Sequence, residues 1–135
     1  MRGVPHWSLG DAVAATDSID LRFEIGAAVN APVVILEATP SDDPARWRQV
    51  LDRLAPLPVV TVAADGDLAD VVGDVDALAR AVLDRPLAAT TALQVIRSAS
   101  GSLADGLILE SLAYAMLQAG PEHACLLYTS DAADE

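Results

Sequence analysis

Lysine is absent from this chain: all eight basic residues are arginines, set against twenty acidic ones, for a formal net charge of −12. A surface that acidic repels phosphate backbones and anionic lipid, which argues against nucleic-acid and membrane-surface partners. The lack of lysine, with abundant alanine, points to GC-rich coding and carries no functional meaning. A single cysteine, Cys125, excludes an internal disulfide and a Cys-based metal centre. Aromatic residues make up only 4% of a chain that is 53% hydrophobic, so its core has to be built from Ala, Val and Leu. His6 and His123 are the only histidines, and both lie near chain ends. HExxH, GxSxG, P-loop and GxGxxG patterns are all missing, which leaves metalloprotease, serine-hydrolase and glycine-loop nucleotide chemistry unsupported. No apolar run reaches the ~20 residues that span a bilayer. The opening "MRGVPHWSLGDAV" has no apolar core of a signal peptide. The expectation is a soluble cytoplasmic protein with no metal and no resident cofactor.

The length of 135 residues suits one domain with one core. The last eleven residues, "CLLYTSDAADE", resemble the translation of a transposon-end adapter used in preparing sequencing libraries. On that reading residues 1–124 form a single, C-terminally truncated domain of a metagenomic fragment, and 125–135 are adapter read-through. Such a scar is set aside in reasoning about the fold. Cys125 goes with it, so no thiol chemistry is assigned.

What is present is a strand–helix–strand pattern. The first sixteen residues are ambiguous, and residues 17–32 fit two templates. "DSIDLRFEIGAAVNAP" fits strand alternation through Ile19, Leu21, Phe23 and Ile25. It also fits a helical face through Leu21, Ile25, Ala28 and Val29. The helix is preferred, capped by Asp17 or Ser18 and ended by Asn30 and Pro32. "PVVILEA", Pro32 to Ala38, is a continuous apolar run of the kind buried on both faces of a parallel sheet. "TPSDDPARWRQVLDRLAP" follows, with Asp42 or Asp43 as N-cap and Pro44 in the first turn. Trp47, Val50, Leu51 and Leu54 form one apolar stripe, and Pro56 and Pro58 end the helix. "LPVVTVAADG", Leu57 to Gly66, repeats the strand composition. Short links make this a parallel βαβ unit with a right-handed crossover expected.

Three C-terminal helices are expected beyond Gly66. The first has Asp74 or Asp76 as cap and Val75, Leu78, Val82 and Leu83 on one side. The second starts at Pro86. The third starts at Ser102 and stops at Gly120 and Pro121. The third carries a wide apolar face, including Leu103, Leu107, Leu112, Met116 and Leu117. A face that wide needs cover on more than one side, from another subunit or from further chain. The fold class is therefore α/β: a small parallel sheet around a βαβ unit, followed by three helices.

Two loops sit where open α/β sheets bind ligands, past the carboxyl ends of the strands. In "ATPSDD" the backbone N–H groups can receive an anion, but Asp42 and Asp43 occupy that spot and favour capping. In "ADGD" Asp65 and Asp67 form either a carboxylate pair or ordinary turn chemistry. Thr39 and Ser41 in the first loop, and Asp65 and Gly66 in the second, are the candidate ligand-binding residues. Glu110 is read as an exposed or interface position on the third helix. Arg80, Arg85 and Arg97 are either a phosphate-holding set or solvated partners of the many acids.

Three segments carry a family resemblance. "APVVILEA" resembles the strand leading into the first oxyanion-hole loop of the crotonase (enoyl-CoA hydratase/isomerase) superfamily. "LDRLAPLPVVTVAADG" is similar to the helix end and strand before its second oxyanion segment. Residues 74–124 resemble its C-terminal helical region. The resemblance implies a spiral of β-β-α turns, helices that build oligomers, and binding of acyl-CoA thioesters, the enolate being held by two backbone N–H groups and protons moved by Glu. Here "TPSDD" replaces the small-residue loop after Ala38, and the Gly-rich helix start and the catalytic Glu segments are absent. Only Asp65 and Gly66 match a family position, so no catalytic residue carries over. The expectation is an acyl-CoA-binding, degenerate member of the family. The alternative is a non-catalytic subunit that keeps the fold and oligomerises through its C-terminal helices, as a homo- or hetero-oligomer.

Overall fold

The structure, a computed structural model, describes residues 3–26, 31–98 and 101–131. It is an α/β fold around a four-stranded, wholly parallel sheet. The strands are β1 (His6–Trp7), β2 (Val33–Leu36), β3 (Val60–Ala63) and β4 (Val71–Val72), and they lie in chain order across the sheet. Register is set by pairs such as His6 with Ile35, Val34 with Thr61, and Val62 with Val71. Helices α1 (Leu9–Asp17) and α2 (Leu21–Glu24) link β1 to β2, and α3 (Pro44–Leu54) links β2 to β3. Beyond β4 come α4 (Val75–Asp84), α5 (Pro86–Ser98), α6 (Leu103–Gln118) and α7 (Pro121–Asp131). The three expected C-terminal helices are present, and a fourth, α7, runs into the tail segment.

Every residue of β2 and β3 is buried. Successive side chains of a strand point to opposite faces, so both faces need cover. Val34 and Leu36 pack on one side with Ala12 of α1 and with Trp47, Val50 and Leu54 of α3. Val33, Ile35, Val60 and Val62 pack on the other with Ala79 and Val82 of α4 and Leu93 of α5. The result is a three-layer sandwich. Fully burying a side chain of this size contributes about 1.5–3 kcal/mol, so these two strands and their cover dominate the stability. In α4 the buried stripe runs through Ala79 and Val82, and Leu83 is exposed rather than on the covered side as its spacing predicted.

Local signals explain the ends of these elements. The Asp43 carboxylate accepts the Ala45 N–H at 2.9 Å, and Pro44 follows at the first helical position. Asp74 accepts the N–H groups of Asp76 and Ala77, both at 3.1 Å. Ser8 and Asp11 form a reciprocal capping box that starts α1, in a region whose sequence pattern is ambiguous. The helix expected from Asp17 to Asn30 is cut to one turn. Gly26 adopts φ +114° and pairs with Ala31 in an antiparallel bridge, so the chain leaves the helical region there. Ala28, Val29 and Asn30, which that expectation used, lie outside the described residues. β4 was also unforeseen. Val71 and Val72 follow a bend and carry no alternating pattern, and only the partner strand makes them extended.

One polar cluster ties the layers together. Asp70 Oδ2 accepts from the Thr61 backbone N–H at 2.9 Å and from its hydroxyl at 2.7 Å. The Arg97 guanidinium reaches Asp70 at 2.6 Å and also donates to the carbonyls of Ala55, Leu57 and Val59. Gln94 adds bonds to Ala55 and Leu57. Both members of the ion pair are more than four-fifths buried. Asp70→Ala strands the Arg97 charge among carbonyls and is expected to lower stability by about 3 kcal/mol in urea unfolding. Adding Arg97→Met should restore part of the loss, because removing both buried charges costs less than removing one.

Candidate functional site

A cleft opens at the carboxyl edge of the sheet, where β2 and β3 hand over to their following loops. One lobe, of about 290 Å³, is lined by Thr39, Asp65, Gly66 and Asp67 over a floor that includes Leu36 and Trp47. A second lobe, of about 200 Å³, is lined by His6, Glu37, Asp65 and Val75. Leu36, Ala38, Ala63 and Asp65 border both lobes, so the cleft straddles the end of the sheet. Parallel strands make this placement: β2 and β3 point the same way, so "ATPSDD" and "ADGD" emerge side by side.

Of the residues singled out in the sequence, Thr39, Asp65 and Gly66 are brought together in the first lobe. Ser41 does not line it. Its hydroxyl lies 3.0 Å from that of Thr39, so it touches the site only through Thr39. Gly66 adopts φ +89° with open space around its Cα, a turn that any larger residue would strain.

The first loop is already satisfied from within. The Asp42 carboxylate accepts the Thr39 N–H at 2.8 Å and the Trp47 indole N–H at 3.2 Å. The donor from Thr39 is therefore closed to an incoming oxyanion. The Thr39 N–H is the main influence holding the Asp42 carboxyl below the usual carboxylate range; burial opposes it, and the Trp47 indole and the Thr39 hydroxyl add smaller lowering effects. Asp11 is held down in the same way by the Ser8 hydroxyl and backbone N–H.

The remaining candidates are elsewhere. Arg97 is committed to Asp70 and to three carbonyls, and is not available to a phosphate. Glu110 is exposed on α6. Arg85 and His123 line a larger cavity of about 370 Å³ between α5, α6 and α7, remote from the sheet edge. There Glu122 accepts the N–H groups of Leu87 and Ala88 at 2.7 and 3.0 Å and so fills the start of α5. Among the described residues no group of three His, Cys, Asp or Glu can hold a metal ion. None of their helices is long and apolar enough to cross a membrane.

His6 and Glu37 were missed as a pair. His6 was set aside as a residue near the chain end, yet β1 runs beside β2 and brings its ring to Glu37, with Nδ1 2.9 Å from Oε1. The available signal was "SLGD", a capping pattern that marks "HW" just before it as the end of an extended segment.

The fold and cleft define the class: an open parallel α/β protein with a cleft at the carboxyl edge of its sheet. No family model, curated protein or solved structure matches the chain.

Asp43→Ala is expected to cost about 1 kcal/mol by cap loss, read from denaturant unfolding. The acid limb of stability carries a second signature. Because the folded carboxyls of Asp42 and Asp11 are held below their unfolded values, their contribution is complete above the ordinary carboxylate range. It is lost as pH falls through the depressed values. Asp42→Asn should therefore flatten the fall in melting temperature below about pH 4, and an unchanged acid limb would contradict the assignment.

Proposed function

We propose that the chain is a degenerate unit of crotonase type, cytoplasmic, that seats the acyl end of a CoA thioester in the cleft at the carboxyl edge of β2 and β3. The observation that carries this reading is the convergence of Thr39, Asp65 and Gly66 on one lobe with an apolar floor. That is the position at which the resemblance implies the thioester. The size of the lobe suits a short acyl chain and not the whole CoA moiety, which would lie outside it.

The same geometry argues against efficient enolate chemistry. The Thr39 N–H is bound by Asp42, and loss of one oxyanion donor typically costs ~10²–10³ in rate. A subunit role, with no family-type catalysis, is favoured by α6. It has no buried residue, and Leu103, Leu107, Ile108, Leu112, Tyr114 and Met116 are all more than half exposed. Apolar surface on that scale belongs against another chain. We read the protein as an acyl-thioester-binding subunit that self-associates through α6.

Calorimetry with butyryl-CoA tests the first part. Saturable binding that is abolished by Thr39→Trp is expected. Affinity should rise with added salt, because the CoA phosphates approach a chain of net charge −12. No heat at any ionic strength would end the acyl-thioester reading. Light scattering tests the second part: Leu107→Asp with Leu112→Asp should convert an oligomer to a monomer, and a monomeric parent protein would remove the subunit role.

A further inference from the structure

The second lobe of the cleft holds chemistry that the family resemblance does not assign. Its polar lining consists of His6, Glu37 and Asp65. An ionised carboxylate can only accept a hydrogen bond, so in the 2.9 Å contact between His6 Nδ1 and Glu37 Oε1 the imidazole nitrogen carries the hydrogen. In the neutral ring Nε2 then keeps its lone pair. A carboxylate that fixes the tautomer and orientation of a histidine is the arrangement that makes Nε2 a proton acceptor. Both side chains are about half exposed, so water reaches the ring. The backbone holds the pair in place, since the Glu37 N–H donates to the Trp7 carbonyl at 2.9 Å in the β1–β2 ladder.

Among the described residues no serine or cysteine lines this lobe, so covalent catalysis by those nucleophiles has no source among them. Water is the available nucleophile. Ala38, Ala63 and Asp65 border both lobes, so the two lobes adjoin.

We propose that His6, oriented by Glu37, is a general base that activates water against a small acyl thioester or ester held in the cleft. The water oxygen bonds to the carbonyl carbon as its proton passes to His6 Nε2. The tetrahedral species then expels the thiol or alcohol, which takes the proton back from Nε2, and the free acid remains. His6 touches the reacting water and is the catalytic residue; Glu37 is a positioning residue. With the Thr39 N–H occupied, general-base assistance is the main contribution, which sets the acceleration at about 10²–10⁴.

This inference rests on the acyl-thioester reading for its natural substrate, and the test separates the two. Release of CoA from butyryl-CoA is followed chromatographically, with binding measured in parallel by calorimetry and folding by thermal melting. His6→Gln is expected to lower kcat about a hundredfold with binding intact. Glu37→Gln should lower kcat about tenfold with KM unchanged, the split that a structural role would not give. Imidazole added to His6→Gly should restore turnover, and His123→Gln should match the parent protein. If butyryl-CoA binds but the parent protein hydrolyses it no faster than His6→Gln, the inference is overturned and the binding reading stands. If butyryl-CoA does not bind, the binding reading fails, and p-nitrophenyl butyrate, which needs no CoA recognition, decides the rest. Hydrolysis that depends on His6 upholds the pair, and equal rates in the parent and His6→Gln overturn it.

Discussion

The Asp70–Arg97 ion pair ties α5, the chain leaving α3 and the loop after β3 to one another. Arg97 comes from α5, on one face of the sheet. It spans the carbonyls of Ala55, Leu57 and Val59 where the chain leaves α3, and it closes on Asp70 at the end of the loop that follows β3. Asp70 in turn holds Thr61 within β3. A loop pinned at that end cannot drift from the sheet, and this loop carries Asp65 and Gly66. The pair thus sets the cleft as well as the stability. Its weight comes from burial: a charge lodged among carbonyls and balanced by one largely buried carboxylate is tolerated only while every member is present.

The acidity of the chain is put to structural use. Asp43 and Asp74 cap helices, Asp11 completes a capping box, and Asp42 closes the loop after β2. Each holds backbone N–H groups that would otherwise need another acceptor, the same groups that in other proteins bind a ligand anion. The first loop therefore shows a direct conflict between capping and chemistry, and capping wins because Asp42 sits three residues from the donor and is always present. What remains for function is the apolar floor over Leu36 and Trp47 and the imidazole contributed by β1.

α6 stands apart from this economy. It packs on α5 and α7 but buries none of its own residues, although its composition is that of an interior helix. Its capping is normal, with Ser102 accepting the Asp105 N–H at 3.2 Å, so local rules suffice to make it a helix. Local rules do not supply cover for Leu107 or Leu112. The three-layer core ends at α5, and α6 lies outside it.

Much of the fold was legible because its signals are local and redundant. The runs at Val33–Leu36 and Val60–Ala63 are too apolar for anything but two-sided burial. Pro44 after Asp43 and the Trp47, Val50, Leu54 stripe leave one reading for α3, and the short links between them make the strands parallel. Those facts also put Thr39, Asp65 and Gly66 at one edge. The rest was decided in three dimensions. Val71 and Val72 are extended because β3 offers an unpaired edge. The segment after Asp17 is one turn and not a long helix because Gly26 turns back to Ala31. Arg97 and Asp70, and likewise His6 and Glu37, are separated by about thirty residues. No periodicity or motif links such pairs. Propensity and spacing act over a few residues along the chain, whereas ion pairs and hydrogen-bonded rings form wherever packing brings charges within ~3 Å. The sequence alone therefore determined the two central strands, the helix between them and the edge at which their loops emerge, and only the tertiary structure decided which side chains meet there.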